Sequence, residues 1–169
     1  MCPGSMFTFL NWTVIISLSL FNPARPVNAE TIPYKIHGSS MHPLVKHGDE
    51  VDVLVDVQPV KANDLVVFRV GNQTVIKKVA GVPGDHLDIA QCEDAVGTEN
   101  LCIYINGEAA RSPSSKPYKL EHGTVKLVRM YTGVLSGYFV LGREGTYDSS
   151  KFGPISQDAI IGVVIGKSN

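Results

Sequence analysis

Leu65-Val66-Val67-Phe68-Arg69-Val70-Gly71-Asn72-Gln73-Thr74-Val75-Ile76-Lys77-Lys78-Val79 is a pair of apolar runs parted by Gly71-Asn72. A short apolar run, a turn-forming pair and a second run read as a β-hairpin. Working outward, the same pattern repeats. Glu50-Val51-Asp52-Val53-Leu54-Val55 alternates, as a half-buried strand does. Further strands are expected over Leu87–Ala90, Leu101–Ile105, Val125–Met130, Tyr138–Leu141 and Ile160–Ile165. Asn106-Gly107 is a strong turn signal. Sixteen glycines and ten prolines punctuate these runs, and no long stretch carries a helical period. One short helix is expected after Ser40, where Ser and Pro favour a helix start. Residues 109–118, rich in Ala, Ser and Pro, read as an exposed loop. The fold class is therefore mainly β, with antiparallel sheets and few short helices.

With 169 residues, 44% of them hydrophobic, the chain can bury a core within one domain. The formal net charge is −1, and Lys77-Lys78 is the one paired cation. That excludes a nucleic-acid interface built on a basic surface. No internal repeat or dividing linker is present.

The first 29 residues contain no acid and a single base, Arg25. Phe7 to Phe21 is a 15-residue hydrophobic segment, shorter than the roughly 20 residues of a full span and closer to the apolar region of a signal peptide. Val27-Asn28-Ala29 has the small residues of a cleavage site before Glu30, although no Lys or Arg precedes the apolar run. Residues 1–29 are read as a hydrophobic leader or membrane anchor. Either role sends the rest of the chain across a membrane.

Three cysteines are present. Cys92 and Cys102 flank an acidic, Gly-containing stretch, a spacing that in an exported chain points to a disulfide. Closing a loop of about ten residues contributes on the order of 2–3 kcal/mol in the chain-entropy view. Two buried free thiols are the alternative. Cys2 is lost with a cleaved leader or left unpaired in an uncleaved one.

Two segments carry chemistry. Gly38-Ser39-Ser40-Met41-His42-Pro43 pins serine hydroxyls between a glycine and a proline. Lys77-Lys78-Val79-Ala80-Gly81-Val82-Pro83-Gly84-Asp85 sets lysines in apolar sequence before a Pro-Gly turn. A serine needs a base before it attacks a carbonyl, and a lysine is that base only when its amine is neutral. Bringing a lysine into the neutral range costs roughly 4–5 kcal/mol, which burial beside Val75, Ile76 and Val79 can supply. On residues alone, Ser39 competes with Ser40 for the nucleophile. Lys77 and Lys78 compete for the base, since alternation along a strand sends them to opposite faces.

These segments, with Gly48-Asp49 five residues after Pro43 and with Asn63-Asp64-Leu65-Val66-Val67-Phe68-Arg69, succeed one another in order. A last block runs Gly142-Arg143-Glu144-Gly145-Thr146-Tyr147-Asp148-Ser149-Ser150-Lys151-Phe152-Gly153. Together they resemble the bacterial type I signal peptidase family of membrane-bound serine–lysine endopeptidases, over roughly Tyr34 to Val164. One block alone would be a weak motif; four in order are a strong one.

The resemblance implies Ser40 as nucleophile and Lys77 as general base, with residues 30–169 forming the peptidase domain. It places Thr146 where a serine hydroxyl usually holds the lysine amine. It places Asp148 on an aspartate that pairs with a basic neighbour. The Arg usual two residues later is Ser150 here, leaving Lys78 or Lys151 as the expected partner. The Ser40 backbone N–H would stabilise the oxyanion, while the position of a second donor in some members is Gly38. Ile36, Met41 and Ile76 match positions lining shallow apolar pockets for small substrate side chains, and each also suits plain core.

The implied substrates are precursors with signal peptides or prepilin-like subunits, cut after a small residue on the outer side of the membrane. The implied location is the inner membrane facing the periplasm, or the periplasm if the leader is cleaved. The smaller members, including those of conjugative-transfer systems, look most similar. No cofactor and no metal are expected, because His37, His42 and His47 match no usual zinc spacing. Nor does the spacing of His86 or His122 support a Ser-His-Asp triad over the lysine. Two rivals remain. A self-cleaving repressor would carry a DNA-binding helix pair in place of the apolar leader, and a non-catalytic β domain would bind peptides along a sheet edge.

Overall fold

The computed structural model describes residues 30–56, 58–92 and 100–168. The hydrophobic segment Phe7 to Phe21, the small residues before Glu30, and most of the stretch between Cys92 and Cys102 lie outside the described residues.

Among the described residues, ten strands build two antiparallel sheets. The first six are β1 (Thr31–Lys35), β2 (Glu50–Val55), β3 (Leu65–Val70), β4 (Gln73–Gly81), β5 (His86–Gln91) and β6 (Leu101–Ile105). The other four are β7 (Glu108–Ala109), β8 (Gly133–Val134), β9 (Phe139–Leu141) and β10 (Ile160–Lys167). The larger sheet has the order β1-β2-β10-β3-β4-β9 and the smaller one β7-β6-β5-β8. The sequence's mainly β reading is what the chain adopts.

The β3–β4 hairpin turns at Gly71-Asn72, with Val66 opposite Lys77 and Leu65 opposite Lys78. At its far end β4 leaves the larger sheet through Val82-Pro83-Gly84-Asp85 and re-enters the smaller one as β5. The Asp85 carboxylate accepts from the Val82 N–H at 2.8 Å, and Gly84 takes the left-handed conformation (φ 95°) that this tight turn demands. The strand carrying the two lysines therefore joins the sheets.

Among the described residues, three large apolar clusters and a smaller one at Cys92 and Cys102 hold the layers. One, under β1–β4, contains Ile36, Met41, Val45, Val51, Val53, Val67 and Ile76. A second packs Val66, Phe68, Val79 and Val140 against Tyr138 and Ile155, and the third joins Leu87, Ile103, Tyr118, Val128 and Phe139. Cys92 and Cys102 are bonded, with Sγ–Sγ at 2.02 Å, and are buried beside Tyr104.

Three local expectations are corrected. Val125–Met130 is not a strand: Val125–Arg129 is a five-residue helix, α1, following a 3-10 turn at His122–Thr124. The polar–apolar alternation there fails at the adjacent Leu127-Val128, and only Val128 is buried, as on one face of a helical turn. Residues 109–118 are not a simple exposed loop. Arg111 bridges Pro117 across a tight turn, which puts Ala110, Ser112 and Tyr118 in the interior. After Ser40 the chain makes a single turn rather than a helix, closed by Val45 N–H to Met41 O at 3.2 Å, because Pro43 supplies no N–H to extend it. A last short helix, α2 (Ser149–Phe152), is capped by Asp148 through the Ser150 N–H.

Candidate active site

Ser40 sits on the turn that leaves β1. Ile36 N–H bonds to Asp49 O at 2.8 Å and Gly48 N–H to Ile36 O at 2.9 Å, closing the base of the loop. Within it, Gly38 N–H donates to His47 Nδ1 at 3.2 Å. Met41, 1% exposed, anchors the turn in the apolar cluster beneath. Ser39 is exposed, whereas the Ser40 side chain is turned toward β4.

Lys77 lies in the middle of β4 at 2% exposure, and its Nζ is 2.6 Å from Ser40 Oγ. Strand alternation puts Lys78 on the other face, half-buried beside a cavity of about 670 Å³ that Arg111 also lines. Of the two lysines, Lys77 is the one brought to a serine. Burial pushes its amine down to about 8, against a pull upward from the Asp148 charge. The net shift is about 3 kcal/mol, most of the roughly 4–5 kcal/mol that a fully neutral-range lysine would take, and it leaves a fraction of the amine unprotonated at neutral pH. Lys78 is also lowered, by burial first and then by the Arg111 charge.

The segment 142–148 closes over Lys77. Arg143 N–H donates to Ser40 O at 2.7 Å, tying this loop to the serine turn. Gly142 lies against the lysine stem: a Cβ there would stand 3.0 Å from Lys77 Cδ and 2.6 Å from Thr146 Oγ1. Thr146 and Lys77 thus border the same point at Gly142, but the Thr146 hydroxyl donates to Arg143 O at 2.7 Å, and the amine's hydrogen bond is to Ser40.

Asp148, with no exposed surface, has partners other than those expected. Its Oδ2 accepts from the Tyr118 hydroxyl at 2.9 Å and the Gly142 N–H at 3.0 Å. Its Oδ1 accepts from the Ser150 N–H at 3.0 Å and the Ser150 hydroxyl at 2.7 Å. Lys151 instead donates to Gly145 O at 2.7 Å and pairs with Glu121 at 3.2 Å, and Lys78 faces the opposite side of the sheet. A short backbone-tied serine replaces the cation, so Asp148 is satisfied by neutral donors.

Ile36, Met41 and Ile76 are all buried in the cluster below Ser40. His37 and His47 meet edge to face with centroids 6.0 Å apart. Among the described residues no three His, Cys, Asp or Glu side chains converge on a metal position.

Sequence reasoning misses Tyr118, His47 and the Gly142 close approach. Tyr118 lies in a Ser- and Pro-rich stretch with no pattern to distinguish it. The His47 bond depends on the loop folding back over ten residues. Gly142 stands at the head of its sequence block, yet its glycine is required by side chains 65 and 4 residues away, Lys77 and Thr146.

The family described as signal peptidase, peptidase S26, matches residues 7–167 of this chain. Signal peptidase I V of Bacillus subtilis (strain 168) is 30% identical, covering 94% of this chain and 95% of its own length. Signal peptidase I of Bacillus caldolyticus is 31% identical over 78% of this chain and 75% of its own. Signal peptidase IB of Staphylococcus aureus is 32% identical over 78% and 74%, respectively.

Proposed function

Since the chain belongs to the signal peptidase family, peptidase S26, and is a serine endopeptidase of that family, we propose that it removes signal peptides through an acyl-enzyme on Ser40, with Lys77 as general base. The observation that carries this reading is the 2.6 Å contact between a buried lysine amine and a serine hydroxyl. With its proton lost, Lys77 Nζ accepts the Ser40 proton as Oγ attacks the scissile carbonyl. The amine then carries positive charge, which Asp148 favours. As the tetrahedral intermediate collapses, the lysine gives its proton to the departing amine. In the second half it takes a proton from water as the hydroxide adds to the ester, and it returns that proton to Ser40 Oγ as the acid product departs.

Ser40 N–H, which has no protein acceptor among the described residues, is the proposed donor to the oxyanion. Gly38 supplies no side-chain donor beside it. Ile36, Met41 and Ile76 form a packed apolar floor, which supports a preference for small side chains before the cut. Residues 1–29 act in this reading as leader or anchor, and residues 30–169 as the peptidase domain on the outer side of the membrane. Precursors with signal peptides are the proposed substrates, with pilin-type subunits a dedicated subset.

Incubating the purified protein with a signal-peptide-bearing precursor and sequencing the new N-terminus tests the reading. Cleavage after a small residue, lost in Ser40→Ala, supports it. Cleavage that persists in Ser40→Ala removes it.

A further inference from the structure

The environment of Asp148 goes beyond the two residues of the dyad. A buried carboxylate is ordinarily paired with a cation, yet every hydrogen bond given to this one among the described residues comes from a neutral donor. Tyr118 is 2% exposed, its ring belongs to the cluster with Leu87 and Phe139, and its hydroxyl ends on Asp148 Oδ2. That hydroxyl also lies 3.3 Å from Ser150 Oγ, which itself reaches Asp148 Oδ1 at 2.7 Å. The same Oδ2 takes the Gly142 N–H, and Gly142 is the residue pressed on the Lys77 stem. A continuous path of contacts therefore runs from the phenol through the carboxylate and Gly142 to the lysine.

We infer that Tyr118 and Ser150 are positioning residues: they hold the Asp148 carboxylate in the place from which it steadies the charge on Lys77. The inference rests on Lys77 being the base. Neutral donors suit this task because they fix the carboxylate without cancelling it. Burial and the neighbouring carboxylate keep the phenol protonated well above its ordinary range, so it stays a donor throughout the working pH range. Among the described residues, the other charged group acting on the phenol is Glu121, which is paired with Lys151, and the charge acting on Lys77 is that of Asp148.

Removing one donor leaves a buried oxygen short of a partner and the carboxylate less firmly placed. Its pull on the charge of Lys77 then weakens. The test is kcat/KM against pH for Tyr118→Phe, Ser150→Ala and Asp148→Asn on a precursor peptide, with thermal unfolding of each. Asp148→Asn should move the acid limb to lower pH and reduce the plateau rate. Tyr118→Phe and Ser150→Ala should each move it part of the way, by about half a pH unit. Each should lower the plateau kcat about tenfold, the size of one hydrogen bond to a charged group, with KM little changed.

Loss of thermal stability with the limb and kcat in place would overturn the inference, since a purely structural role predicts that. A limb that moves to higher pH would overturn it too. If Tyr118→Phe does not fold, Ser150→Ala and Asp148→Asn decide by the same readout. Lys77→Ala separates the two levels: an active Lys77→Ala removes the underlying reading. An inactive Lys77→Ala with an unmoved limb in the other variants removes only this one.

Discussion

Gly142→Ala adds one methyl group at the narrowest point of the site. Gly142 has no left-handed backbone, so alanine fits its conformation and the effect is purely steric. The new Cβ would stand 2.6 Å from Thr146 Oγ1, 3.0 Å from Lys77 Cδ and 3.1 Å from Lys77 Cε. Comfortable contact is about 3.5–4 Å, so these groups must part by about 0.5–1 Å. Thr146 is short, branched and bonded to Arg143 O at 2.7 Å, so it yields poorly. The lysine stem is the softer side, and its end is the amine held 2.6 Å from Ser40. Displacing a reacting group by about 1 Å costs about 100-fold, and overpacking a core costs about 1–3 kcal/mol. The expected result is a fall of about 10- to 100-fold in kcat with KM nearly unchanged. The melting temperature should drop by about 3–10 °C. Steady-state kinetics on a precursor peptide and a thermal scan measure both. A folded Gly142→Ala protein with unaltered kcat would refute the argument that Gly142 sets the position of Lys77.

Three further outcomes are expected. Lys77→Arg should be inactive, because arginine keeps its proton, while Lys78→Arg, on the other face of β4, should retain most activity; steady-state rates compare them. Lys77→Met should unfold at a higher temperature than the parent at pH 7. The folded-state Lys77 is depressed to about 8, so the unfolded chain binds the extra proton between there and the ordinary lysine range. Parental stability should therefore rise with pH through that window, by up to about 3 kcal/mol, and thermal scans of Lys77→Met should lack the rise. Alkylation of unreduced protein from an oxidising compartment should leave Cys92 and Cys102 unlabelled by intact mass. Labelling of both would contradict the bond.

Features carried by short-range pattern are legible in the sequence. The β3–β4 hairpin, the alternation of β2 and the Asn106-Gly107 turn each lie within a few residues, and the strands fall where those signals end. Val125–Arg129 misleads because five residues of mixed polarity satisfy both periods, and packing of Val128 decides between them. Residues 109–118 look like a loop by composition, yet the Arg111–Pro117 bridge carries Tyr118 inward. The choice between Lys77 and Lys78 needs the position of Ser40, because β4 is apolar on both faces. The partners of Asp148 are illegible for the same reason. A lysine one residue along a helix is the natural substitute for a missing arginine, whereas a tyrosine 30 positions earlier and a serine hydroxyl share the task.

The central claim is that Ser40 becomes acylated with Lys77 removing its proton. The most direct measurement is to quench the protein in acid while it turns over a precursor peptide, digest it, and map the covalent adduct by mass spectrometry. The account expects the acyl group on the peptide containing Ser40. It should be absent from Ser40→Ala, retained in Ser39→Ala, and formed far more slowly in Lys77→Ala. An adduct on another residue, or one that accumulates at the parental rate in Lys77→Ala, would contradict it.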